Sequence, residues 1–226
     1  MATASDVMAC AGKWVGYSRY NDPEEGTVFG RFYAKLTNSP WFGTTGVFYC
    51  MMYVTYCLFL GTFEQKVKCV GTPSAACSPS MRAARAAGKL KHIEAGSFGD
   101  VVYFDWSRGG YTSNNADHVG FIRWVDTVNR LAYTREGNVS GCVKDCVRDF
   151  ADIVGCVTPD YEEDEVTDND IKKIAKAVIA ESINYKNGDN DQPHTASLGN
   201  RVGYIDYITH AIIRKLDEIL ALLKKA

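Results

Sequence analysis

The chain of 226 residues is 46% hydrophobic and 23% charged, which excludes a disordered polymer and supplies enough apolar material for one sizeable core. Its net charge of −2 includes no basic stripe with interleaved aromatics, so nucleic acid is not an expected partner. No segment is apolar over bilayer-spanning length, and Met1-Ala2-Thr3-Ala4-Ser5-Asp6 lacks the basic-then-apolar pattern of a secretion signal, so synthesis in the cytoplasm without a membrane span is expected.

In chain order, Val7, Met8, Ala11, Trp14 and Val15 recur at helical spacing and predict an amphipathic helix over residues 5–18 that covers a sheet. Asn21-Asp22-Pro23-Glu24-Glu25-Gly26 is a turn-rich acidic loop whose oxygens lack a regular calcium-ligand spacing and read equally well as solvated. Phe29 to Leu36 is helix-compatible, and Trp41 and Phe42 after it are candidates to wall a cleft. Gly46 to Gly61 is an apolar run between glycines, which suits a buried helix with Gly61 free to take the left-handed conformation beyond its end. If that helix starts near Tyr49 or Cys50, the Cys50 sulfur sits among unpaired backbone N–H groups at the positive end of the helix dipole. Such a position favours thiolate over thiol and makes a nucleophile. Cys57, seven residues on, falls on nearly the same face and reads as packing.

Cys69 to Pro79 reads as loop and Ser80 to Lys91 as a short basic helix stopped by Gly88. The period then changes. Val101 to Phe104, His118 to Val125, Leu131 to Arg135, Gly141 to Val147 and Ile153 to Val157 read as strands at about ten-residue spacing, pointing to an antiparallel sheet and an α+β fold class. The eight cysteines are expected to be reduced thiols. Cys142, Cys146 and Cys156 fall in strand-like sequence and no Cys-x-x-Cys occurs, so neither a metal nor another cofactor is expected.

Asp126 to Arg130 has turn composition between two of these strands. A turn centred on Thr127 places His118 opposite Glu136, and one centred on Val128 places it opposite Asn138. Glu136 and Asn138 are two apart and share a face, so either register offers the imidazole a polar partner able to hold one tautomer. That is the base and orienter of a cysteine hydrolase. His92, His194 and His210 lie in a basic loop, a polar stretch and a C-terminal helical stretch, and none has such a setting.

These residues resemble the CHAP family, cysteine- and histidine-dependent amidohydrolases/peptidases that cut bacterial peptidoglycan. Tyr49-Cys50-Met51-Met52-Tyr53-Val54-Thr55-Tyr56-Cys57 is similar to the family's nucleophile helix, with Met51 in place of the usual alanine. Gly99 to Trp106 is similar to its central strand, Asp117-His118-Val119-Gly120-Phe121 to its histidine strand, and Glu136-Gly137-Asn138 to its closing motif. The resemblance covers roughly residues 5–160. It implies a papain-like fold with Cys50 as nucleophile, His118 as base, Glu136 as orienter and Asn138 as a fourth polar member. It also implies peptidoglycan as substrate, within a phage endolysin that reaches the wall through a holin or lysis; the bond cut does not follow from it, since the family contains both N-acetylmuramoyl-L-alanine amidases and endopeptidases, and amidase is favoured here. Trp41, Phe42 and Trp106 are then candidates to line the substrate groove. The alternative is a catalytically idle wall-binding or virion structural protein that keeps the domain shape.

Residues 1–159 are thus expected to form the catalytic domain. Residues 160–170 carry seven acids and no base and read as a solvated linker. Residues 171–226 read as a helical module. Ile171, Ile174, Ala175, Val178 and Ile179 form one apolar stripe, and Ile205, Ile208, Ile212, Leu216, Ile219 and Leu223 form a nearly heptad seam. Two short helices bury too little alone, so the module is expected to self-associate or to hold the protein to the wall.

Overall fold

The computed structural model describes residues 2–162, an α+β arrangement in which four α-helices precede a five-stranded antiparallel sheet. The helices are α1 (Ala4–Gly12), α2 (Val28–Thr37), α3 (Cys50–Leu58) and α4 (Cys77–Ala86). The strands are β1 (Val101–Phe104), β2 (His118–Asp126), β3 (Leu131–Val139), β4 (Cys142–Asp149) and β5 (Ile153–Val157), in the order β4-β3-β2-β1-β5. Most of the acidic linker and the whole helical module at 171–226 lie outside the described residues. Among the described residues, no helix is long and apolar enough to cross a membrane.

Local chemistry sets several of these boundaries. Thr3 and Asp6 close a capping box at the start of α1, and the Thr27 hydroxyl accepts from the Gly30 N–H at the start of α2. Helix α1 ends at Gly12, short of the predicted residue 18, because the chain leaves it to bond β4: the Gly16 N–H donates to the Val143 carbonyl at 3.0 Å, and the Val143 N–H to Tyr17 at 2.9 Å. Trp14 still reaches the core, edge-on to Phe29 and Tyr56, but Val15 is exposed. Helix α4 begins at Cys77, earlier than the predicted Ser80. Pro79 belongs to its first turn, where a missing backbone N–H is harmless.

The central strand β1 is buried throughout. Val101 and Tyr103 join the cluster that includes the helices, while Val102 and Phe104 pack with Ile93, Ile122 and Phe150 in a second cluster. Both faces are therefore covered, which is why Val101-Val102-Tyr103-Phe104 is continuously apolar. Helix α3 packs across β2 and β3. The contact is close at Gly137, where a Cβ would lie 2.7 Å from Tyr53 Cβ, so only glycine lets the backbone of β3 approach the helix. Cys142 and Cys146 lie on β4 and Cys156 on β5, at opposite edges of the sheet.

Candidate active site

Cys50 is the first residue of α3. The start of that helix is anchored by Tyr49, whose ring stacks on Phe29 at 5.3 Å and whose hydroxyl donates to the Gly141 carbonyl at 2.9 Å. Tyr49 provides no side-chain cap, so the first-turn N–H groups remain available to an anion. Cys50 is buried to 7% exposure, with its sulfur 3.6 Å from that of Cys77. The hydrogen bond with Cys77 pulls the Cys50 thiol well below its ordinary range. Burial opposes this, and His118 and the Met51 N–H reinforce it. Cys77 is pushed the other way by the same bond and by burial, so Cys50 is the anion and Cys77 the donor.

His118 opens β2, and its Nε2 lies 3.0 Å from Glu136 Oε2. Nδ1 is thereby left for Cys50, whose hydrogen bond to the imidazole is among the causes of both shifts. Burial pulls His118 down, but the bonds to Cys50 and Glu136 outweigh it and raise its pKa to about 9. Phe104 and Trp106 flank the ring, with centroids 5.7 and 5.8 Å away.

Glu136 is fully buried and saturated with donors. Arg148 grips it with two bonds, Nε to Oε1 at 2.9 Å and Nη2 to Oε2 at 2.6 Å, and the Thr134 hydroxyl donates to Oε1. Burial pushes the carboxyl up, but Arg148, His118 and Thr134 together hold it at about 2. It is a carboxylate at any pH relevant to the site. The register explains how it reaches His118: Glu136 pairs with Gly120, two residues along the same face. A Cβ at residue 120 would stand 2.6 Å from Glu136 Cγ, so the glycine makes room for the diagonal contact.

The structure brings Cys50, His118, Glu136 and Trp106 together and places the other sequence candidates differently. Asn138 has a left-handed backbone, φ 67°, within an irregularity of the β3–β4 pairing. Its N–H bonds the Tyr49 hydroxyl, so the contact it makes is with the helix start through its backbone, while Glu136 is the side chain at His118. Trp41 and Phe42 form a 3-10 turn packed on α2, where Phe42 sits edge-on to Tyr33 at 4.8 Å. Their ring contacts are with α2 and each other, and the exposed aromatic beside the imidazole is Trp106.

Sequence reasoning missed Arg148, Thr134 and Cys77. A turn at Ser140-Gly141 would have paired β3 with β4, but directly opposite Glu136 stands Lys144, which is exposed; the longer Arg148, opposite Ala132, runs back along the strand to reach the carboxylate. Cys77 carried no signal, because it lies in the Pro- and Ser-rich stretch before Pro79, which reads as loop. In the acidic loop, Asp22 takes the Arg31 guanidinium at 2.9 Å and the Tyr17 hydroxyl at 2.5 Å, and Arg31 also bonds the Glu25 carbonyl. A built-in cation thus gathers these oxygens. Among the described residues, no three His, Cys, Asp or Glu side chains are grouped to hold a metal.

A thiolate at an uncapped helix start, an imidazolium bonded to a buried carboxylate, and a flanking exposed indole form an arrangement able to attack an acyl carbon and pass a proton to its leaving group. Compared with known proteins, the chain matches no family model, no curated protein and no solved structure.

Proposed function

We propose that the protein is a peptidoglycan hydrolase with a papain-like CHAP fold, which cleaves an amide bond of the bacterial wall by cysteine nucleophilic catalysis. The observation that carries the reading is the hydrogen-bonded chain from the Cys50 thiolate through His118 to Glu136. In this reading Cys50 attacks the amide carbonyl, and the first-turn N–H groups of α3 stabilise the oxyanion. His118 gives its Nδ1 proton to the departing amine, then takes one from the water that releases the acyl group. Glu136 keeps the ring oriented and stabilises its cationic form, and Arg148 keeps Glu136 ionised. Trp106 offers an open aromatic surface next to the reacting centre.

The resemblance of the nucleophile helix and histidine strand supplies the substrate class; muramoyl-alanine amidase and endopeptidase need the same cysteine chemistry, and amidase is the reading put to the test. The test is digestion of purified peptidoglycan with fragments identified by mass spectrometry. Free lactyl ends on muramic acid identify an amidase, and new amino termini within peptides an endopeptidase. No release of fragments by a protein whose Cys50 is rapidly alkylated would overturn the wall substrate while leaving the thiolate in place.

A further inference from the structure

Cys77 makes and breaks no bond in the hydrolysis described above, yet it is hydrogen-bonded to the nucleophile. The two sulfurs are 3.6 Å apart although 27 residues separate them in the chain, and each cysteine is the first residue of its helix. Both helix starts are tied in place. The Thr55 hydroxyl of α3 donates to the Ser74 carbonyl at 3.0 Å and accepts from the Ser74 N–H, which fixes the segment leading into α4. Ser78 bonds Asn115 and both backbone groups of Ala116, on the loop that delivers His118. Sulfurs so held need to close by about 1.5 Å to reach a bond of roughly 2.05 Å.

We propose that Cys50 and Cys77 form a reversible disulfide under mild oxidation by hydrogen peroxide, which switches the nucleophile off and protects it from irreversible oxidation. The chemistry needs a thiolate beside a thiol, and the pair supplies both. The Cys50 thiolate attacks one oxygen of the peroxide and the O–O bond breaks. The hydroxide that leaves takes the imidazolium proton of His118 and departs as water, so sulfur is oxidised by two electrons to a sulfenic acid. The Cys77 sulfur then attacks that sulfur. The S–S bond forms, the S–O bond breaks, and the leaving hydroxide carries off the Cys77 proton as a second water. With the neighbouring anion gone after the first step, Cys77 is no longer held protonated by it. Cys69 and Cys156 are pushed up by burial and stay thiols, and Cys57 is pushed up by burial and by its bond with Cys10, a pair that does not include the nucleophile.

The effect on activity rests on the hydrolase reading, whereas the disulfide does not. The test treats the full-length protein with graded hydrogen peroxide, blocks remaining thiols with N-ethylmaleimide, and maps peptides by tandem mass spectrometry in parallel with wall lysis. A cross-link joining Cys50 to Cys77, with lysis lost and then restored by dithiothreitol, is expected. In Cys77→Ser the cross-link is absent, Cys50 proceeds to sulfinic acid, and dithiothreitol restores nothing. Cys50 found as sulfinic acid in the wild-type protein while Cys77 remains alkylated by maleimide would overturn the proposal, as would a cross-link from Cys50 to any other cysteine. A cross-link in a protein that never lysed wall would support the switch and remove the hydrolase reading instead.

Discussion

Replacing Glu136 with glutamine tests the centre of the site through stability and reactivity at once. Glu136 is held at about 2 against an ordinary 4.5, and it is fully buried. At 1.36 kcal/mol per pH unit, its ionisation contributes about 3 kcal/mol to folding at pH 6. The amide keeps the shape but turns a donor toward His118 or Thr134 and leaves Arg148 without its counter-ion. For a domain of this size that loss corresponds to a fall of about 6–12 °C in melting temperature. Because a depressed carboxyl stabilises only while ionised, the gap between the two proteins is full above pH 4.5 and closes as pH falls toward 2. Thermal melts by circular dichroism across that range measure it. Iodoacetamide alkylation of Cys50 gives the chemical half: without the carboxylate, His118 releases its proton more readily, and the acid limb of the rate profile moves to higher pH. A Glu136→Gln protein within about 1 kcal/mol of wild type at pH 6, with an unmoved alkylation profile, would refute the ionised-hub argument.

Cys50→Ala and His118→Ala should abolish wall lysis while remaining folded, and Cys57→Ala should keep lysis at a loss of about 1–3 kcal/mol in stability, since Cys57 is fully buried packing; lysis and denaturant curves on all three decide it, and an active Cys50→Ala protein would remove the nucleophile. Asn138→Ala should weaken lysis less than Glu136→Gln, because Asn138 bonds through its backbone, and the reverse ranking in initial rates would count against Glu136 as orienter. Between pH 6.5 and 9 the contribution of a raised His118 is lost as pH rises while that of a lowered Cys50 works in the opposite direction, so the wild-type protein should lose less stability over that interval than the His118 contribution alone would give, as melts across the range measure. In Cys50→Ala the thiolate that helps raise His118 is gone while burial still opposes the charge, so the imidazole should lose its proton at lower pH than in the wild type, and an NMR titration of His118 that does not move down would contradict the thiolate–imidazolium pair. Gly120→Ala should cost about 1–3 kcal/mol and reduce lysis, because the added methyl meets Glu136 Cγ and the Arg135 carbonyl; unchanged melting would mean that the strand gives way easily there.

Much of this was written in local sequence. Helix α3 announces itself by an apolar run between two glycines, and a cysteine at its start acquires a dipole and free N–H groups from backbone geometry alone. The strands follow from their period, and the hairpin arithmetic offered the imidazole two partners, one for a turn centred on Thr127 and one for a turn centred on Val128. What the sequence could not decide was which of the two. Pairing stops at Gly120 and Glu136, β3 turns left-handed at Asn138, and the choice falls to Glu136 diagonally across a glycine. Such a contact depends on side-chain reach and backbone irregularity, neither of which has a period. Arg148 was hidden for the same reason, since a local rule selects Lys144, the residue directly opposite. Trp41 and Phe42 read as a cleft wall by composition; the structure packs Phe42 edge-on to Tyr33 of α2 and leaves Trp41 exposed, which no periodicity foretells. Cys77 was the least legible, because its meeting with Cys50 requires two helix starts separated by 27 residues to converge, and only tertiary packing brings such ends together.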